Sequence, residues 1–294
     1  MMSCTVCPRN CKIDRTAASG FCGCSSVPRI ARAALHFDEE PSISGTRGSG
    51  TIFFSGCNLK CIFCQNMVLQ DGTFGEPVTT ERLAETMLKL QAHGAHNVNL
   101  VTPTPHRDAI IKALQLAKKN GLTIPVLYNT NSYETVDTIR AYEGLVDLYL
   151  PDLKYVDARL SLKFSRASDY YDVAIAAIAE MLRQVGPMQT DADGIATRGV
   201  RIRHLVLPGC VYDTRQVLDA IKAHFGVDCP ISLMSQYTPI PSCTVKPLDR
   251  PLTAREYEQA LDYCLSLGFT DVYTQELTSV GRAYTPPFSD LIEL

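Results

Sequence analysis

The chain of 294 residues contains no tryptophan, and that absence excludes little. More follows from the lack of any apolar run long enough to cross a bilayer, which takes about 20 residues. There is no basic stretch: Lys plus Arg is 28 and Asp plus Glu is 31, a near-neutral balance that argues against a nucleic-acid partner. The first residues are polar and cysteine-rich and carry no signal-peptide pattern. Internal repeats and low-complexity tracts are also missing. What remains is an ordinary globular chain, long enough for one α/β barrel domain or two small domains and for a large core.

Cysteine is plentiful, with 12 residues. In the absence of a secretory signal this points to a reducing cytoplasm, where grouped thiols more often bind metal than pair as disulfides. Cys57, Cys61 and Cys64 form a Cys-x3-Cys-x2-Cys run directly after the apolar segment Thr51–Ser55. A four-iron cluster is usually held by four cysteines, so three leave one iron open to another ligand. That open position suits catalysis better than simple electron transfer. A structural zinc needs a fourth ligand, and no His or Cys stands at the usual local distance. Unliganded core or surface thiols are the plain alternative; the position after a strand and the turn at Gly56 weigh against it. In the N-terminal head, Cys4, Cys7, Cys11 and Cys22 make a second four-ligand set with Cys24 to spare. Their spacing suits a structural zinc or a second iron–sulfur cluster. A metal would explain how so small a head stays folded. Cys210, Cys229, Cys243 and Cys264 are scattered and read as buried thiols.

Apolar, β-branched runs recur at Thr51–Ser55, Asn97–Val101, Ile124–Leu127, Val146–Leu150, Val200–Leu207, Ile231–Met234 and Asp271–Thr274. Helical spacing fills most of the gaps. Leu83, Met87 and Leu90 share a face, with Thr80 as N-cap and Gly94 past the end. Ile110, Ala113, Leu114 and Ala117 repeat the pattern before the stop at Lys118–Gly121. Val217, Ile221 and Phe225 mark another helix, and Thr253–Glu256 is a capping box ahead of Tyr257 and Leu261. Asp157–Gly186 is expected to start irregularly and to become helical near Val173–Gln184. The connector up to Gly50, with Gly45 and Gly48, reads as loop. Strand–helix alternation implies parallel βαβ units, arranged as an open or partial barrel or as a doubly wound sheet. Either places ligands at the C-terminal strand ends, where the cysteine run sits.

Gly56-Cys57-Asn58-Leu59-Lys60-Cys61-Ile62-Phe63-Cys64-Gln65-Asn66 resembles the signature loop of the radical S-adenosylmethionine (SAM) superfamily, in the form seen in pyruvate formate-lyase-activating enzymes. Cys7-Pro8-Arg9-Asn10-Cys11, Gly20-Phe21-Cys22-Gly23, His36–Pro41 and Gly48–Phe54 resemble its PflX branch, and the similarity runs from residue 4 to at least Leu207-Pro208-Gly209. The resemblance implies a partial (β/α)6-type, TIM-like barrel over residues 51–294 behind a cysteine-rich head and connector over 1–50. It implies one 4Fe–4S cluster on Cys57, Cys61 and Cys64, with SAM chelating the open iron. It further implies a one-electron donor such as flavodoxin or ferredoxin, and reductive cleavage of SAM to methionine and a 5′-deoxyadenosyl radical that abstracts hydrogen.

Cofactor contacts are expected from residues at the strand ends. Phe63 matches the aromatic near the adenine. Thr102 and Thr104 lie in Thr102-Pro103-Thr104-Pro105, where most relatives carry a Gly-Gly-Glu-type turn for the SAM amino group; carbonyls or hydroxyls would substitute here. Asn129 and Asn131 follow the third strand. Asp152 and Lys154 resemble the Asp-x-Lys segment of glycyl-radical activases. His204, with Arg203, resembles the ribose-side region. His106 reads as a helix-start residue, and Ser235-Gln236-Tyr237 ends the sixth strand at the same mouth. The substrate would be a glycyl-radical enzyme, a peptide or a small molecule. A non-catalytic iron–sulfur carrier, or a zinc-binding interaction module built on the head, is the competing class; SAM turnover and metal content separate them.

Overall fold

Residues 4–275 are described by a computed structural model of the chain. The expected strands form with ends displaced by a few residues, except that Val200–Leu207 is divided at Arg201 between a strand over Ala196–Val200 and another over Ile202–Leu205. In chain order the principal strands are β1 (Arg29–His36), β2 (Ser49–Phe54), β3 (Val98–Val101), β4 (Val126–Thr130), β5 (Leu148–Pro151), β6 (Ala196–Val200), β7 (Ile202–Leu205), β8 (Ile231–Met234) and β9 (Val272–Thr274). Strands β2, β3, β4, β5 and β6 lie side by side in parallel. Past Arg201 the chain continues as β7, which pairs in parallel with β8, and β8 with β9. A bridge between Asp152 and Arg203 ties the end of β5 to β7. The two sheets thus continue one another as an open parallel barrel rather than a doubly wound sheet.

The helices are α1 (Thr80–Ala92), α2 (Arg107–Lys119), α3 (Val136–Arg140), α4 (Ala158–Ser165), α5 (Tyr170–Val185), α6 (Val211–Phe225) and α7 (Ala254–Ser266). Strand periodicity decides what each face meets. Val98 and Leu100 of β3 join Leu83, Met87, Leu90, Ile110 and Leu114 of the helices in one core. Each of these side chains is fully buried and is worth about 2 kcal/mol by area. Leu127, Leu148 and Leu150 point the other way and pack with Ile43 inside the sheet. None of the helices among the described residues is long and apolar enough to cross a membrane.

Three local expectations need correction. The N-cap of α1 is Thr79, not Thr80: Thr79 is extended and its hydroxyl accepts from the Arg82 N–H at 3.2 Å. The connector is not loop throughout. Its residues 29–36 form β1, antiparallel to β2 with Ile30 opposite Phe54 and His36 opposite Ser49. The alanines of Arg29–His36 carry weak strand preference, and a register shift near Ile30 blurs the alternation. The irregular stretch after Asp157 holds a helix of its own, α4, capped by the Asp157 carboxylate on the Arg159 N–H. The capping box at Thr253 and Glu256 forms as expected.

Candidate active site

Strand β2 delivers the chain to Ser55 and Gly56 at its C-terminal end, and the cysteine loop follows. Gly56 has φ +94°, and a Cβ there would lie 1.9 Å from Cys24 Sγ, so only glycine fits. The Ser55 carbonyl accepts from His106 Nε2 at 2.8 Å and has Cys24 Sγ 3.3 Å away. Burial of the His106 ring drives its pKa down to about 4, so it holds this contact as a neutral donor. Arg9, from the head, donates to the Asn58 carbonyl at 2.8 Å and the Arg166 carbonyl at 2.5 Å, with its guanidinium over the Phe21 ring. Asn58 in turn donates to the Tyr133 carbonyl and accepts from Asn131 Nδ2 at 2.9 Å. The loop is therefore held by the head on one side and by the β4 end on the other.

Cys57, Cys61 and Cys64 line a cavity of about 260 Å³ in the barrel mouth, together with Phe63, Thr102, Asn129, Asn131, Asp152 and Lys154. Lys154 Nζ lies 2.5 Å from Asp152 Oδ2. Burial opposes the Lys154 charge, but the Asp152 carboxylate and the Cys61 sulfur outweigh it and hold its pKa above the ordinary value. Phe63 faces Tyr237 at a ring distance of 6.2 Å. Thr102 sits at φ +57°, a conformation that threonine rarely adopts. Below this level Arg203 donates to both Glu39 and Glu40, and Asn99 and Asn129 donate to Glu39 Oε1 at 2.9 and 3.3 Å. Burial alone would raise Glu40; Arg203 overrides it and holds the carboxyl down at about 2. Glu39, Glu40 and Arg203 also border a second cavity of about 360 Å³, which shares Asp38, Met234 and Gln236 with the first.

Two expected cofactor contacts lie away from this cavity. Thr104 gives its hydroxyl to Glu134 Oε1 at 2.6 Å, inside a buried cluster with Tyr128 and Thr130. His204 is 2 % exposed and faces the helical layer, with its ring nitrogens engaged by the Leu153 carbonyl and the Thr214 hydroxyl. Since Arg203 lines the cavity, its neighbour must point to the opposite face. Arg203 and Gln236, expected at the ribose side and at the mouth, do border the cavity, and Glu39 joins them without any local signal in the sequence. The strand alternation that places Arg203 inside was the available signal.

The cysteine trio fits a cluster. Burial pushes the Cys61 thiol up to about 12 and raises Cys64, with neighbouring cysteines adding to both, so a bare trio of thiolates is disfavoured and a cationic core would relieve it. Hydrogen-bond donors already point at the sulfurs: Ser165 Oγ is 2.9 Å from Cys61 Sγ, and Asn131 Nδ2 is 3.5 Å from Cys57 Sγ. Among the described residues, the trio and the head cysteines alike, no group of three or more His, Cys, Asp or Glu side chains stands close enough to hold a single metal ion. Cys7 has Cys11 and Cys22 as electrostatic neighbours, and a hydrogen bond from Cys24 draws the Cys22 thiol down to about 6. Cys4 is tied by its backbone to Ile13 and Lys12.

Residues 51–190 match the radical SAM superfamily. The uncharacterized protein MJ0674 of Methanocaldococcus jannaschii is 31% identical over 272 residues, covering 88% of this chain and 73% of that protein. Among solved structures, SuiB of Streptococcus suis bound to S-adenosylmethionine aligns over 75% of this chain and 48% of its own, with 15% identity and a TM-score of 0.51. SuiB bound to the precursor peptide SuiA aligns with 14% identity and a TM-score of 0.53, over 75% of this chain and 46% of its own. These structures share the fold, and this chain spans about half the length of SuiB. An open parallel barrel with three cysteines after its first parallel strand, matched to that family over residues 51–190, places the chain in the radical SAM superfamily, whose members use a 4Fe–4S cluster and SAM.

Proposed function

We propose that the chain is a radical SAM enzyme that takes a hydrogen atom from a peptide or protein substrate, either to activate a glycyl-radical enzyme or to modify a peptide. The carrying observation is the cavity: Cys57, Cys61 and Cys64 line it, and no fourth thiol does among the described residues. A pure electron carrier gains nothing from a missing ligand. When bound and reduced by a donor such as flavodoxin or ferredoxin, the cluster and SAM supply the 5′-deoxyadenosyl radical.

The chain's own residues bind and orient. Phe63 with Tyr237 offers an aromatic wall for the adenine. Thr102 brings a hydroxyl and a carbonyl as acceptors for the SAM amino group in place of a Gly-Gly-Glu turn. Lys154, kept charged beside Asp152, balances carboxylate and thiolate charge near the sulfurs. Asn129 and Asn131 add amide groups at the rim. The second cavity, bordered by Glu39 and Arg203, gives a substrate space next to the reacting atoms. Support for a peptide comes from SuiB, which is solved with its precursor peptide.

Anaerobically reconstituted, reduced protein should convert SAM to 5′-deoxyadenosine, and a deuterated candidate peptide should pass deuterium into it. A fully reconstituted sample that forms no 5′-deoxyadenosine would sink the reading. Redox activity without SAM turnover would mark a carrier, and zinc without labile sulfide a zinc module.

A further inference from the structure

Behind the cysteine-lined cavity, two hydroxyls stand in series on the Cys61 sulfur. Ser165 Oγ lies 2.9 Å from Cys61 Sγ, and the Tyr155 hydroxyl lies 2.9 Å from Ser165 Oγ. Ser165 is 0 % and Tyr155 1 % exposed, so neither hydroxyl reaches bulk water. The contact to Cys61 is also shorter than those to Cys57, which has the Leu59 N–H at 3.4 Å and Asn131 Nδ2 at 3.5 Å.

The backbone sets this spacing. The Ile62 N–H donates to the Phe164 carbonyl at 2.9 Å, which ties the residue after Cys61 to the residue before Ser165. Arg9 joins the Asn58 and Ser165 carbonyls, and Gln70 Nε2 holds the Cys61 carbonyl at 2.8 Å. Tyr155 follows the end of β5. There Lys154 turns into the cysteine-lined cavity and Tyr155 turns into the core. Its ring meets Tyr170 edge-on at 5.6 Å and Phe164 at 6.4 Å.

Proton counting gives the pair a direction. A serine or tyrosine hydroxyl has one hydrogen to give. A cysteine sulfur bound to iron is a thiolate and has none. Ser165 then gives its hydrogen to Cys61, and Tyr155 gives its own to Ser165. In this order both hydrogens find an acceptor, and the two bonds polarise one another. A donor at a ligating sulfur favours the reduced cluster, in which the sulfur carries more negative charge, and so raises the reduction potential.

We propose that Ser165, backed by Tyr155, is a positioning residue that eases one-electron reduction of the cluster by holding a hydrogen bond on Cys61. The proposal rests on the cluster reading given above. One electron enters from the donor, and the hydroxyl hydrogens stay on their oxygens.

The test is a redox titration of full-length, anaerobically reconstituted protein without SAM, followed by electron paramagnetic resonance of the reduced cluster. Ser165→Ala should shift the equilibrium about threefold to tenfold against the reduced form, the size of one ordinary hydrogen bond. At 59 mV per tenfold this is a fall of about 30–60 mV. Tyr155→Phe keeps the ring and its packing, and should lower the potential by less, because Ser165 still donates. The double variant should match Ser165→Ala, since Tyr155 acts only through Ser165. Ser161→Ala is the packing control. Ser161 is buried on the same helix, but its hydroxyl serves the Ala158 carbonyl, so the potential should stay in place. An unchanged potential in Ser165→Ala, an equal fall in Ser161→Ala, or shifts that add in the double variant would each overturn the proposal. If Ser165→Ala takes up no cluster, Tyr155→Phe decides, and a potential equal to that of the wild type overturns it. Wild-type protein that takes up no iron and sulfide would remove the cluster reading as well; a loaded wild type with unmoved variants removes this proposal alone.

Discussion

Replacing Gly56 with alanine should damage the cysteine loop through a contact with the head, and the size of the effect can be worked out. At φ +94° a Cβ costs about 1–2 kcal/mol in backbone strain. The new methyl would stand 1.9 Å from Cys24 Sγ, against the roughly 3.5–4 Å of an ordinary contact. Cys24 is 3 % exposed and hemmed in by the Ser55 carbonyl and His106, so it has little room to retreat. Overpacking of this kind adds about 1–3 kcal/mol. Gly56→Ala should therefore cost about 2–5 kcal/mol in urea unfolding of the metal-free chain. It should also lower iron and sulfide incorporation after reconstitution. Cys24→Ala removes the clashing sulfur, and the remaining Cβ would lie at 3.7 Å from the new methyl, a normal distance. The double variant should then keep the backbone strain and the 3.0 Å contact with the Cys22 carbonyl but lose the sulfur clash, giving a coupling of about 1–3 kcal/mol between the two sites. Additive single effects, within about 0.5 kcal/mol, would refute the idea that the head sets the course of the loop.

Arg203→Met leaves Glu39 and Glu40 facing each other in a buried place, and should cost about 3–5 kcal/mol in thermal or urea unfolding, much of it recovered when both glutamates become glutamine. His204 is held neutral by burial, with its pKa down at about 4. Because the folded value is depressed, its contribution is complete above about pH 6.5 and is lost as pH falls from there towards 4. About 3 kcal/mol is involved, and urea midpoints across that range should show a smaller acid loss in His204→Asn. Cys61→Ala should abolish 5′-deoxyadenosine formation. Cys7→Ala should retain measurable formation in the same anaerobic assay, since Cys7 does not line the cavity.

Wherever the residues kept a clean period, the fold was legible. The parallel strands carry β-branched runs, and α1 and α2 carry apolar faces that end in Gly94 and Gly121. Strand β1 was not legible, because alanine-rich pairing is decided by β2 lying beside it rather than by local preference. At the site, the cysteines, Phe63, Thr102, Asn129, Asn131, Asp152 and Lys154 stand at strand ends, where proximity in space follows from the alternation of elements. Thr104 and His204 turn away from the cavity, to Glu134 and Thr214, because similarity along the chain does not say which way a side chain turns. Glu39 reaches the interior through contacts more than 60 residues away in sequence, such as Arg203, which no local pattern encodes.

The Arg9 contacts limit how this protein can be taken apart. One side chain of the head bridges the cysteine loop at Asn58 and the end of α4 at Ser165 and Arg166, and Ser165 is itself the donor to Cys61. The head is thus a keystone rather than an appendage. A barrel excised from residue 28 onward would lose the brace behind its own reaction centre. Exchange of heads between relatives would succeed only if the Arg9 and Cys24 counterparts travelled together with the loop they support.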